Sequence, residues 1–184
     1  MTWRSIRSIS AFALLAAAAL QAQPSYVRSE ERIALPAVTL TDSRGERVPL
    51  AEALDGPGPV VLQFIFTTCP SVCPLLSSAL AGAQGEIGEG TRLVSISIDP
   101  EYDTPARLRE YARRFKAGPR WRFLTGGRDD VAAVQKAFGA WRVNKMSHEP
   151  LTFLRAAPGE PWVRLAGRLS AADLAAETHR LAAR

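Results

Sequence analysis

Residues 59–66 of the stretch PVVLQFIFTTCPSVCPLL (59–76) form an apolar, β-rich run, which suits a central strand covered on both faces. Both cysteines of the chain follow at once, Cys69 and Cys73, each succeeded by proline. A helix is predicted from Leu75 to about Glu86, with Pro74 near its first turn, where a missing N–H costs nothing. Thiols between the end of a buried strand and a helix N-terminus lie where backbone N–H groups and the helix dipole favour thiolate over thiol. The spacing is one residue wider than a Cys-x-x-Cys redox pair. With a proline after each cysteine, it predicts an irregular loop in which both sulfurs face one point.

Working outward, TRLVSISI (91–98) is a second buried strand. It leads into DPEYDTPARLREYARRF, where Thr104 is a good N-cap, Pro105 takes the first helical position, and Leu108, Tyr111, Ala112 and Phe115 share a face. Asp103 reads as a further cap for this helix, and Asp99 as a capping or loop-orienting residue. A short strand at WRFLTG and a helix at DDVAAVQKAFGAW follow. Two strands then turn around Pro158 and Gly159, and a last helix has Ser170 as its N-cap. Upstream, residues 37–50 alternate apolar and polar on both sides of DSRG, the pattern of a β-hairpin. The fold class is therefore α/β, with helices covering a mixed sheet. The element order is that of a thioredoxin-like fold carrying an extra N-terminal β-hairpin.

The first residues, MTWRSIRSISAFALLAAAALQAQ, combine two arginines, an apolar core and a small residue at Ala22. They read as a signal peptide or N-terminal anchor over residues 1–22. Residues 23–32 read as a linker and 33–184 as one domain of ordinary size. The formal net charge of +5 falls by two without Arg4 and Arg7. The remaining arginines are interspersed with acids, and no aromatic stripe accompanies them, which argues against nucleic-acid binding.

Two soft thiolates facing one point make a partial site for a thiophilic ion, above all Cu(I). The chain offers two histidines as a further ligand, His148 and His179. His148 lies in a loop before a predicted strand that a thioredoxin-like fold brings beside the cysteine loop. His179 lies on the polar side of the terminal helix and reads as surface. A closed zinc site using both histidines has no common spacing here. A dithiol–disulfide couple needs no metal, so thiol–disulfide exchange stays open as a second chemistry. A structural disulfide would close so small a loop that it removes little unfolded-state entropy.

FTTCPSVCP (66–74), followed after one helix by SISIDPEYDTPARLREYARRF (95–115), resembles the Sco/SenC family, and the similarity extends over roughly residues 33–155. The resemblance implies an exported, membrane-facing copper metallochaperone of thioredoxin-like fold rather than an enzyme. It would act in the periplasm or at the outer face of the inner membrane and assist assembly of the copper centre of cytochrome c oxidase. By the same resemblance Cys69, Cys73 and His148 hold copper. The partners would be the copper-accepting oxidase subunit and thiol–disulfide exchange proteins, and the N-terminus would contact the membrane. Where the family usually reads Asp-His-Ser, this chain has Ser147, His148 and Glu149. The acid before the ligand, a candidate partner for the imidazole, is missing.

Overall fold

The computed structural model describes residues 25–183. One sheet of eight strands runs through it in the order β1-β8-β7-β4-β5-β6-β2-β3. The central strand is β4 (Val60–Ile65), buried at every position. It pairs in parallel with β5 (Arg92–Ser97), which pairs in parallel with β6 (Trp121–Thr125). On the other side β4 meets β7 (Leu151–Arg155) antiparallel, and β7 meets β8 (Trp162–Gly167) antiparallel. The hairpin of β2 (Thr39–Asp42) and β3 (Arg47–Pro49) joins the edge of β6, within the residues where alternation predicts it.

Alternation along β4 divides the core. Val60, Leu62 and Phe64 enter the cluster shared with α1 (Leu50–Leu54) and α4 (Arg128–Ala137). There Phe138 meets the rings of Phe153 and Trp162 edge-on, each at a centroid distance of 5.0 Å. Val61 and Ile65 enter the opposite cluster, with side chains of α2 (Val72–Ala83), α3 (Pro105–Arg114) and α5 (Ala171–Ala182). Both faces of the sheet are thus covered, and the continuous apolar run of β4 is explained. Thr104 caps α3 through the N–H of Arg107, with Pro105 at its start. Ser170 and Asp173 form a reciprocal capping box on α5.

Three expectations are corrected. The linker at 23–32 is replaced over most of its length by an edge strand, β1 (Tyr26–Glu31), paired antiparallel with β8 from Tyr26↔Gly167 to Glu31↔Trp162. Its residues are too polar to advertise a strand, yet Tyr26 Oη and Arg28 Nε both donate to the buried Glu177 carboxylate of α5, at 2.7 and 3.2 Å. Gly167, at φ +136°, permits the close approach, since a Cβ there would lie 2.4 Å from the Ser25 carbonyl oxygen. The second correction is that α2 begins at Val72, so Cys73 stands in a helical turn rather than in an irregular loop. Pro74 is accommodated because the first N–H groups of a helix have no intrahelical acceptor. The third concerns Asp103, which caps nothing and is described with the site. The expected signal peptide or anchor lies outside the described residues. Among the described residues no helix is long and apolar enough to cross a membrane.

Candidate metal centre

The structure places the three predicted ligands at the C-terminal end of the parallel strands and brings two of their side chains, Cys73 and His148, into contact. Cys69 lies in the loop after β4, and its backbone N–H closes a turn onto the Phe66 carbonyl at 3.1 Å. Cys73 follows in the first turn of α2. His148 ends a single 3₁₀ turn, Lys145–Ser147, just before β7. Because β7 runs antiparallel to β4 with Gln63 opposite Thr152, extending that register carries His148 to the level of Thr67. His148 Nε2 lies 3.5 Å from Cys73 Sγ. Cys69 Sγ accepts from the Cys73 backbone N–H at 3.3 Å, and Cys73 Sγ accepts from the Phe66 N–H at 3.3 Å. Cys73 is fully buried, whereas Cys69 keeps 9% of its surface and His148 8%. His179 is exposed and far from this cluster, with Nε2 2.8 Å from the Glu86 carbonyl oxygen.

Burial decides the charges here. It pushes the Cys73 thiol well above the usual range, with the sulfur of Cys69 adding to the shift and the Phe66 N–H opposing it. The helix N-terminus, expected to favour thiolate, is outweighed at Cys73 by desolvation. Burial likewise pushes the His148 imidazole down to about 4; Glu149 opposes this and Arg142 reinforces it. Thiol and imidazole therefore meet in their neutral forms, and binding a cation here would release thiol protons. Both cysteines are free, and among the described residues no three Cys, His, Asp or Glu side chains already stand in a ligating arrangement. The Cys73–His148 contact is made, while Cys69 is engaged with the backbone of Cys73. Two sulfurs and one imidazole nitrogen are a soft donor set that fits copper.

Two carboxylates from the segment between β5 and α3 hold the flanking loops. Asp103, fully buried, accepts from the Thr67 N–H at 3.0 Å, from Thr67 Oγ1 at 2.5 Å and from Ser97 Oγ at 2.6 Å. It ties the root of the cysteine loop to the end of β5, which is the loop-orienting role that capping was expected to displace. Asp99 ion-pairs Lys145 at 2.5 Å and so reaches the histidine turn. Glu149 pairs with Arg142 at 2.5 Å and lies 3.8 Å from Arg164, so it serves the turn after His148. No local pattern distinguishes Asp103 from a cap. Its position just before Thr104 and Pro105 imitates one, and the partner, Thr67, lies on another strand's loop.

A buried dithiol beside an imidazole, on a thioredoxin-like sheet, defines a class of thiol-based metal or redox proteins. The SCO1/SenC family model matches residues 29–183, so the chain belongs to the SCO1/SenC family. Among solved structures, that of ScoI from Arabidopsis thaliana with copper bound superposes with a TM-score of 0.66 at 27% identity, covering 80% of this chain and 99% of that one. A SCO1/SenC family lipoprotein from Bacillus anthracis shares the fold with a TM-score of 0.69 at 23% identity, covering 83% of this chain and 97% of that one. Protein SenC of Rhodobacter capsulatus is 31% identical over 99 residues, 52% of this chain and 44% of that protein. The chain spans about half or less of the length of the curated relatives it matches.

Proposed function

We propose that this chain is an exported copper metallochaperone that holds copper as cargo through Cys69, Cys73 and His148. It passes the metal by ligand exchange to the copper-accepting subunit of cytochrome c oxidase. The observation that carries the reading is the 3.5 Å contact between Cys73 Sγ and His148 Nε2, with Cys69 Sγ on the Cys73 N–H one turn away. A trigonal copper site needs that imidazole; a simple dithiol reductant does not. The copper-bound relative named above supports the choice of metal. Loading requires the buried Cys73 thiol to give up its proton, while Cys69 Sγ can keep its hydrogen bond from the Cys73 N–H and still offer a lone pair to the metal. The periplasm or the outer face of the inner membrane is the setting, with the N-terminus as the membrane contact and thiol–disulfide exchange proteins keeping the cysteines reduced.

The test is anaerobic copper titration of reduced protein against a chelator. One copper per chain is expected. His148→Ala should weaken Cu(II) binding by 10- to 100-fold or more and Cu(I) binding far less, because Cu(II) favours imidazole while two thiolates alone hold Cu(I). Unchanged Cu(II) affinity in His148→Ala would remove the histidine from the site. The second reading, thiol–disulfide oxidoreductase, draws support from the placing of two free cysteines four residues apart, with Cys69 Sγ on the Cys73 N–H. Facile disulfide exchange without copper binding would favour it.

A further inference from the structure

Beside the cysteine loop lies a cleft of about 640 Å³ that the metal site does not use. Thr67 and Thr68, the residues leading into Cys69, form one wall, and Tyr111 reaches the cleft from α3. Three guanidinium groups line it, those of Arg107, Arg113 and Arg114, against a single carboxylate, Glu110. Arg107 is fixed, stacked 3.5 Å from the Tyr102 ring centroid and donating to the Tyr102 carbonyl at 2.7 Å. Arg113 and Arg114 are exposed and, among the described residues, pair with no carboxylate. Two unneutralised cations facing a concavity of small-ligand size, beside the loop that carries both cysteines, call for an anion.

We infer that this cleft binds a small thiol of tripeptide size carrying carboxylates, and that this thiol, as a route beside the exchange proteins, reduces the Cys69–Cys73 disulfide to the metal-accepting dithiol. The inference rests on the proposed function, in which the pair must be reduced before it takes copper. Access selects the sulfur. Cys69 keeps some exposed surface and adjoins Thr68 on the cleft wall, whereas Cys73 has none. The ligand thiolate attacks Cys69 Sγ; a bond forms between the two sulfurs as the Cys69–Cys73 bond breaks, and its electron pair leaves on Cys73, which takes a proton. A second thiolate attacks the ligand sulfur and releases Cys69. Two small thiols are oxidised to one disulfide, and the protein pair gains the two electrons.

The experiment uses oxidised protein and three reductants: anionic glutathione, cationic cysteamine and uncharged dithiothreitol, with rates normalised to thiolate concentration. Glutathione should outpace cysteamine by about 10-fold at low ionic strength, and the preference should shrink toward unity at about 0.5 M salt, where exposed charges are screened. Arg113→Gln with Arg114→Gln should lower the preference roughly 3- to 10-fold, the scale of two exposed ion pairs. The dithiothreitol rate should stay within about twofold of the parent, showing an intact fold and unaltered cysteines. A parent with no charge preference, or a variant that retains it, overturns the cleft assignment. Failure of dithiothreitol to reduce either protein overturns the exchange-competent pair itself, a distinct outcome.

Discussion

Replacing Asp103 by asparagine perturbs one buried group and should be felt in both stability and metal affinity. The carboxylate accepts three hydrogen bonds, from the Thr67 N–H, the Thr67 hydroxyl and the Ser97 hydroxyl, at 3.0, 2.5 and 2.6 Å. Hydrogen bonds to a charged acceptor contribute about 1.5–3 kcal/mol each, and a buried donor left without an acceptor costs about 1–3 kcal/mol. An amide keeps the shape and one accepting oxygen, but turns the other position into a donor facing donors. Oδ2 serves two of the three bonds, so the better amide orientation still sacrifices at least one. Asp103→Asn should therefore cost about 2–3 kcal/mol, and Asp103→Ala, which strands all three donors, about 4 kcal/mol or more. Thr67 lies two residues before Cys69, so releasing it also loosens the cysteine loop, and copper affinity should fall about 10- to 100-fold, as for loss of other groups that orient ligands. Urea unfolding of the metal-free protein reads the first effect and chelator competition reads the second. If Asp103→Asn unfolds within about 0.5 kcal/mol of the parent and holds copper equally well, Asp103 does not clamp the loop.

Acid should weaken the metal-free protein through His148. Its folded pKa, about 4, lies below the ordinary 6.5, so between these values the unfolded chain binds more protons and stability rises with pH. The contribution is fully present above about pH 6.5 and is lost as pH falls toward 4, roughly 3 kcal/mol in all. His148→Gln should flatten that part of the urea-stability profile, and an unchanged slope would reject the assignment. Phe138→Ala should cost about 3–5 kcal/mol in the same assay, because it empties the meeting point of the Phe64, Phe153 and Trp162 rings. Gly167→Ala should detach β1, since its methyl would collide with the backbone at Ser25; hydrogen exchange of residues 26–31 should quicken while the β4 amides stay protected, and retained protection of β1 would contradict this.

Local pattern was enough to recover β4 through β8, the hairpin and the four longer helices. Buried strands announce themselves as apolar runs, and caps such as Thr104 and Ser170 act on donors a few residues away. The cysteine pair was readable for the same reason, as chemistry carried within nine residues. β1 was not, because its hold on the domain comes from β8 and Glu177, more than 130 residues distant. The start of α2 is hidden in the sequence because proline at a third helical position violates a propensity but no hydrogen bond. His148 is a candidate only by analogy of fold and by family resemblance, with no local pattern to mark it; the antiparallel register of β7 on β4 is what carries it to Cys73. The neutral state of that thiol and imidazole is decided by desolvation, and Asp103 acts on a loop 36 residues away. Periodicity and capping are local and so belong to the order of the residues, whereas register, burial and the partners of buried charges exist only once distant segments have packed.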